Sequence, residues 1–385
     1  MAARAGIEPA PQALPARCRS GTHAGRLVSL DAFRGFTMLL MILVNSSGPG
    51  AYHQLQHAEW NGWTLADTVF PSFLWIVGVA ITLSLDRRLE QGTARQTLIA
   101  QIMRRAAILY ALGLFIYLVP DFDWAHMRFS GVLQRIAICY AAAALLYLYS
   151  GIRGQIIWTA ALLIGYWLVM KCIPVPGFGA GNLTLEGNLA HYIDGIVFGS
   201  HNWVLTKTWD PEGILSTAPA IATTLLGVLA GRLVQLKHPF VNRCISLFVA
   251  GICLTAAGLI CSAWLPVNKN LWTSSFALLM AGLDCLIFPA FLWLLDGRGY
   301  RRWAQPLIIF GVNAIAVYLF SELVPDIILF LHTRVSGGSE SLEQSVFNVT
   351  IFPPALLALC YALFFTAMVY AFAWLLYRKH WFFRV

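Results

Sequence analysis

The fold class this sequence predicts is an all-α polytopic membrane protein of about ten transmembrane helices, and three observations predict it. Apolar runs of roughly 20 residues, the length that crosses a bilayer core, recur from end to end. Charged residues make up only 11% of the chain against 58% hydrophobic ones, whereas a soluble domain carries about a quarter charged. The basic residues also fall mostly in alternate loops, the asymmetry that turns basic loops toward the cytoplasm.

The spans follow in order from where the apolar runs stop. Residues 1–25, rich in Ala, Pro, Arg and Gly, hold no apolar stretch and so lack the core of a signal peptide. They read as a disordered cytoplasmic tail, or as a start assigned too far upstream, ahead of one membrane domain over 26–385. Runs 30–47 and 69–86 lead out and back to Arg87, Arg88, Arg95, Arg104 and Arg105. Runs 104–119 and 129–149 return to Arg153, and runs 155–173 and 213–231 return to Arg232, Lys237 and Arg243. Runs 244–265 and 271–295 precede Arg298, Arg301 and Arg302; runs 304–325 and 350–377 precede Arg378, Lys379 and Arg384. The opposite side receives only Arg128, Lys171, Lys207, Lys269 and Arg334. The expected orientation is N-in, C-in.

This distribution accounts for the net charge of +8 through basic loops facing anionic lipid, without nucleic acid. The eight cysteines fall mostly in apolar runs and form no C-x-x-C. They read as small hydrophobes, with no disulfide framework and no metal site expected. Walker, Rossmann and H-E-x-x-H patterns are absent. Two glycosylation sequons, at Asn182 and Asn348, lie in extracytoplasmic stretches.

Chemistry gathers between the first two spans, in Gln56-His57-Ala58-Glu59-Trp60-Asn61-Gly62-Trp63-Thr64-Leu65-Ala66-Asp67. A loop needs only to turn; this one carries groups that titrate, donate, accept and stack. His57 lies near Glu59 and Asp67 and opposite Asn45, and a neighbouring carboxylate fixes a histidine's tautomer and tunes it as a base. Charges within spans are expensive and need a partner or a task. Asp31 and Arg34 share a helix face, as an ion pair or with Arg34 as an anion contact. Arg135, Asp284 and Glu322 stand alone in their runs, and interhelical pairing is the simplest reading of each.

Two further outer loops repeat the theme. Trp209-Asp210-Pro211-Glu212-Gly213 precedes a span, where a carboxylate beside proline suits a helix start and equally suits a cationic or hydroxyl-rich ligand. Val267-Asn268-Lys269-Asn270-Leu271-Trp272 adds amides, an ammonium and an indole. Interfacial tryptophans such as Trp60 and Trp209 are expected at a membrane surface. Clustered with carboxylates, they also suit a carbohydrate surface.

A set of short motifs runs almost from end to end: Ser29-Leu-Asp-Ala-Phe-Arg-Gly35, Val44-Asn45, His57-Ala-Glu-Trp-Asn-Gly62, Ala66-Asp67-Thr-Val-Phe-Pro71 and Gly131-Val-Leu-Gln-Arg-Ile136. Later come Tyr192-Ile-Asp194, Asp210-Pro-Glu-Gly-Ile-Leu215, Pro266-Val-Asn-Lys-Asn-Leu-Trp272 and Asn313-Ala-Ile315. In order and spacing these resemble the transmembrane N-acetyltransferases of the heparan-α-glucosaminide type, over about residue 26 to the C-terminus. The resemblance implies a transmembrane acyltransferase domain over 26–385. It would take acetyl-CoA from the cytoplasm and acetylate a glucosamine amine on the far side. The family's active histidine falls on His57 and its associated asparagine on Asn45, with one extra residue between them here. The family member's N-terminal luminal domain and first helix have no counterpart, so the resemblance implies a homologue in a bacterial inner membrane, its site open to the periplasm. Heparan sulfate is then not the expected acceptor. It also implies a homodimer.

The resulting expectation assigns roles. Arg34, Arg104 and Arg105 are candidate contacts for the acetyl-CoA phosphates. His57 takes the proton from the attacking amine, or itself accepts acetyl in a ping-pong reaction. Asn45 orients His57 or donates to the oxyanion. Asp67, Asp210 and Glu212 hold the ammonium or sugar hydroxyls, and Arg135 fixes these carboxylates. Trp60, Trp209, Asn268 and Lys269 complete the sugar-binding set. The alternatives are O-acetylation of an envelope glycan, an amino-sugar transporter with midplane charges, and a catalytically silent binding partner.

Overall fold

A computed structural model describes residues 27–48, 50–336 and 353–383 of the chain. The tail over 1–25 and the sequon at Asn348 lie outside the described residues. Among the described residues twelve α-helices follow one another: α1 Val28–Asn45, α2 Leu65–Glu90, α3 Arg95–Leu118, α4 Val132–Tyr149, α5 Ile152–Cys172, α6 Leu189–Phe198, α7 Thr217–Val234, α8 Phe240–Cys261, α9 Ser274–Phe291, α10 Gln305–Val312, α11 Ala314–Ser336 and α12 Pro354–Arg378. A π-helical turn, Leu292–Gly297, continues α9. The strands β1 Pro174–Val175 and β2 Gly179–Ala180 form a small antiparallel ribbon.

Among the described residues nine helices are long and apolar enough to cross a bilayer. The run predicted over 304–325 is not one helix: α10 and α11 meet at 80°. The break falls at Asn313, which is fully buried and accepts the Phe383 amide at 3.2 Å. The apolar residues on both sides of Asn313 read as one uninterrupted run, which is why sequence alone predicts a single helix there. Non-helical backbone is tolerated at membrane depth only where protein covers it. The helix α6, absent from the predicted spans, is only 10 residues long, too short for a search tuned to bilayer thickness.

Lipid is as apolar as leucine, so helices associate through close packing. Gly78 on α2 and Gly227 on α7 provide it: a Cβ at Gly78 would lie 2.0 Å from the Thr224 carbonyl oxygen, and one at Gly227 would lie 2.1 Å from that of Trp75. Gly35 and Gly311 bring α1 onto α10 in the same way. Leu30, Phe33, Trp75, Ile76, Val79 and Phe288 fill the space between α1, α2, α7 and α9. Outward-facing Ile156, Ile157, Phe248 and Phe364 on α5, α8 and α12 are exposed apolar residues, as lipid contact requires. The first turn of α1 is capped from a distance. Asp296 accepts the amides of Val28 at 3.2 Å and Ser29 at 3.0 Å, satisfying donors that no helix can pair itself. Buried Asp284 receives the Ser72 hydroxyl at 2.6 Å, the expected interhelical pairing. This alternation brings the loops before α2, α4, α7 and α9 to one end of the bundle.

Candidate active site

The start of α2 builds the centre of the site. Thr64 and Asp67 form a reciprocal capping box, the arrangement by which an S/T-x-x-acid sequence satisfies the first amides of a helix. One Asp67 oxygen, Oδ2, accepts the amides of Thr64 at 3.0 Å and Ala58 at 3.1 Å. The other, Oδ1, lies 2.8 Å from His57 Nδ1. The same carboxylate that starts α2 therefore orients His57. Asp67 is 1% exposed and His57 is 49% exposed, so a buried anion holds an open ring. The hydrogen bond assigns the proton to Nδ1 and leaves the Nε2 lone pair available.

The loop from α8 to α9 clamps this centre. Gly62, at φ +101°, where only glycine fits without strain, donates to the Val267 carbonyl at 2.8 Å. Asn268 is fully buried; it donates to Asn61 at 3.3 Å and accepts the Leu271 amide at 2.9 Å. Its contacts knit two loops together. From the next position Lys269 reaches the dyad, its Nζ 3.0 Å from His57 Nδ1, 3.2 Å from Nε2 and 3.6 Å from Asp67 Oδ1. Burial pushes the Lys269 ammonium below the ordinary lysine range, against the opposing pull of Asp67 and Glu212.

The second centre is Arg128, which sequence analysis counted only as a loop charge. Its Nε donates to Asp210 Oδ2 at 2.7 Å and its Nη2 to Oδ1 at 2.5 Å. Nη2 also contacts Glu212, and Nη1 donates to the Tyr117 hydroxyl at 3.0 Å. Arg128, not Arg135, thus holds the two carboxylates. Burial pushes Asp210 up against Arg128. Glu212 is pushed up by burial too, but Arg128, Arg135 and Lys269 together hold it down. Arg135 instead donates to the Gly213 carbonyl at 3.0 Å and the Ser216 hydroxyl at 2.5 Å, with its guanidinium 5.2 Å from the Trp272 ring centroid. The helix α7 starts at Thr217, beyond Asp210 and Glu212, so these residues belong to a buried loop and not to a helix cap.

Beside this lies an aromatic wall. Trp209 stacks on His191 at 3.9 Å between centroids, and Trp60 meets His191 edge-on at 5.4 Å. Trp60 also donates to the Leu183 carbonyl at 3.0 Å. Burial pushes His191 down to about 4. One turn along α6, burial pushes Asp194 up to about 6 even though it accepts the Ile214 amide at 2.9 Å. Neither residue was singled out by chemistry in the sequence, since α6 itself was not.

Asn45 has a partner of its own. It donates to Glu322 at 3.2 Å, and both line a cavity of about 230 Å³ with Ser321, Asp326 and Tyr361. Arg34 pairs with Asp31 at 3.3 Å and reaches the Gly311 carbonyl at 3.4 Å. Arg104 and Arg105 are exposed on α3, Arg105 lying 4.9 Å from the Tyr140 ring centroid. They lie in the first half of α3, which begins at the end of the bundle where α2 finishes, whereas Asp67 stands at the start of α2.

Comparison with known proteins identifies the family. Residues 26–238 match the family described as heparan-alpha-glucosaminide N-acetyltransferase, catalytic, and this segment contains His57, Asp67, Arg128, Asp210 and Glu212. The heparan-alpha-glucosaminide N-acetyltransferase of Homo sapiens is 30% identical over 96% of this chain, and that of Mus musculus 28% over 94%. The chain spans about three fifths of each relative, 62% and 61%. With the family matching more than half of its residues, this chain belongs to the heparan-alpha-glucosaminide N-acetyltransferase family.

Proposed function

We propose that the protein transfers acetyl from acetyl-CoA to the amine of a glucosamine-type sugar, with His57 as general base. The observation that carries this is the His57–Asp67 dyad: Nδ1 is held at 2.8 Å by a buried carboxylate while the ring opens outward. The activity for which these relatives are named supplies the reaction class.

The chemistry follows from proton placement. A glucosamine ammonium has no lone pair, so the neutral amine must attack. Nitrogen adds to the thioester carbonyl carbon and His57 Nε2 takes the amine proton. The C–S bond then breaks, and the leaving thiolate receives that proton from the imidazolium. Asp67 holds the imidazolium as it forms. Asn45, as an amide donor, suits the oxyanion or the sugar. Asp210 and Glu212 are held by Arg128, so they shape the loop that carries Trp209 and leave direct sugar contact to Trp209 and Trp60.

Acetyl-CoA is large and multiply anionic, so a bilayer blocks its nucleotide. A donor that enters from the end bearing Arg34, Arg104 and Arg105 need send only its pantetheine arm inward, with the sugar arriving from the His57 end. The loop charge asymmetry makes the former end cytoplasmic. A homodimer in a bacterial inner membrane, its site open to the periplasm, completes the proposal.

The test is transfer from labelled acetyl-CoA to glucosamine by purified protein, wild type against His57→Ala. Transfer lost with acetyl-CoA binding kept supports the reading. Transfer retained by the variant overturns His57 as base, and label found on His57 with donor alone favours the ping-pong route.

A further inference from the structure

Lys269 holds a position that the dyad alone does not explain. Its ammonium lies 3.0 and 3.2 Å from the two ring nitrogens of His57. A point that near to both, if in the ring plane, would lie only about 2 Å from Cε1, well inside non-bonded contact. The ammonium therefore rests against the ring face, and Nε2 keeps its in-plane lone pair for a substrate proton. It lies 3.6 Å from Asp67 Oδ1, the oxygen that accepts from Nδ1. The charged groups facing His57 are thus Asp67 from α2 and Lys269 from the loop before α9. Glu212, from the loop before α7, adds a longer-range attraction on Lys269.

These charges have opposite effects on the imidazole. An ionised Asp67 at hydrogen-bond distance favours the imidazolium, which cannot accept a proton. A cation against the ring face disfavours it, and also neutralises Asp67 itself. We infer that Lys269 is a positioning residue that keeps His57 unprotonated beside an ionised Asp67, so that the orienting carboxylate does not disable the base it orients. This rests on the reading of His57 as general base. Lys269 has an alternative task, contact with the sugar or with the donor, and that would show in KM.

The experiment measures kcat/KM for glucosamine against pH in wild type, Lys269→Met and Lys269→Arg. Without the cation, Asp67 acts unopposed, and the acidic limb should move to higher pH by about one unit, a tenfold loss on that limb. Lys269→Arg should restore it. A second readout is independent of turnover: diethyl pyrocarbonate acylates only the unprotonated imidazole, and mass spectrometry reads its rate at His57. In Lys269→Met the pH dependence of His57 acylation should move upward with the rate profile. An unmoved acylation profile overturns the inference, as does an unmoved acidic limb with a raised KM. Should His57→Ala keep its transfer activity, the base reading falls, while the acylation profile still decides what Lys269 does. If Lys269→Met does not fold, Lys269→Gln carries the same comparison.

Discussion

Arg128→Met removes the one guanidinium that satisfies two buried carboxylates. Arg128 bonds Asp210 through two nitrogens, at 2.7 and 2.5 Å, and touches Glu212 as well. The three side chains are 9%, 0% and 10% exposed. Breaking one partner of a buried pair costs about 3–5 kcal/mol, because the remaining charge is stranded. Here Asp210 is stranded while Glu212 keeps Arg135 and Lys269, and the stranded carboxylate has an escape. A carboxyl whose ordinary pKa is near 4 is protonated at pH 7 for about 4 kcal/mol. The expected loss is therefore about 4–5 kcal/mol at pH 7, falling by about 3 kcal/mol at pH 5 as protonation becomes easier. The assay is thermal unfolding in detergent followed by tryptophan fluorescence, at one scan rate for all variants because such unfolding is often irreversible. The decisive companion is the triple variant Arg128→Met, Asp210→Asn, Glu212→Gln, which removes the stranded charge and should recover most of the loss. A single variant as stable as wild type at pH 7, or a triple variant no better than the single one, would refute the reasoning.

Three further expectations concern the dyad, a helix–helix contact and α6. Asp67→Asn keeps the shape of the capping box but loses the anion that fixes the His57 tautomer. Transfer should fall roughly 100- to 10,000-fold, mostly in kcat, with acetyl-CoA binding kept; an unchanged kcat would sink the dyad. Gly78→Ala places a Cβ 2.0 Å from the Thr224 carbonyl oxygen, backbone that cannot yield, so it should destabilise by about 3 kcal/mol, read as a lowered melting temperature. On α6, two buried groups oppose each other. Asp194, raised to about 6, contributes stability that is full below its ordinary pKa and lost as pH rises through about 6. His191, lowered to about 4, contributes stability present above its ordinary pKa and lost as pH falls through about 4. Each amounts to about 3 kcal/mol over its range, so the two nearly cancel between pH 4 and pH 6. Asp194→Asn removes one side and should gain on wild type as pH rises across that window; a variant-to-wild-type difference that ignores pH would count against these assignments.

Spans and the first centre were legible because each has a local physical signature. Apolar length marks α1 to α5, α7 to α9 and α12, and the crowding of His57, Glu59 and Asp67 into one short stretch marks the first centre, although the apolar run begins at 69 and misses the start of α2 at Leu65. The break at Asn313 was not legible, because a single polar residue in an apolar run gives no sign of an 80° bend. Arg128 stayed hidden for a different reason. Its partners are 82 and 84 residues away, and nothing local separates a loop arginine that orients helices from one that neutralises two buried acids. Asn45 is a similar case: its side-chain partner, Glu322, lies 277 residues on, and no local pattern announces it.

The two centres share one logic, set by the membrane. A helix beginning at the bilayer surface must satisfy its first amides, and α2 does so with Asp67, a carboxylate it needs for folding in any case. His57 is oriented by that existing anion, and Asp67 cannot move without loosening the helix start. The loop before α7 cannot be solvated where it is buried, so Asp210 and Glu212 require Arg128, and their rigidity fixes Trp209 against His191. Lys269 joins the two, drawn by Asp67 on one side and Glu212 on the other. Substitutions at Asp67, Arg128 or Lys269 should therefore couple. In a double-mutant cycle, Arg128→Met and Lys269→Met should be non-additive in stability, because both release Glu212 from its counter-charges. Strict additivity would mean that the centres are merely neighbours, and that His57 is tuned by Asp67 and Lys269 alone.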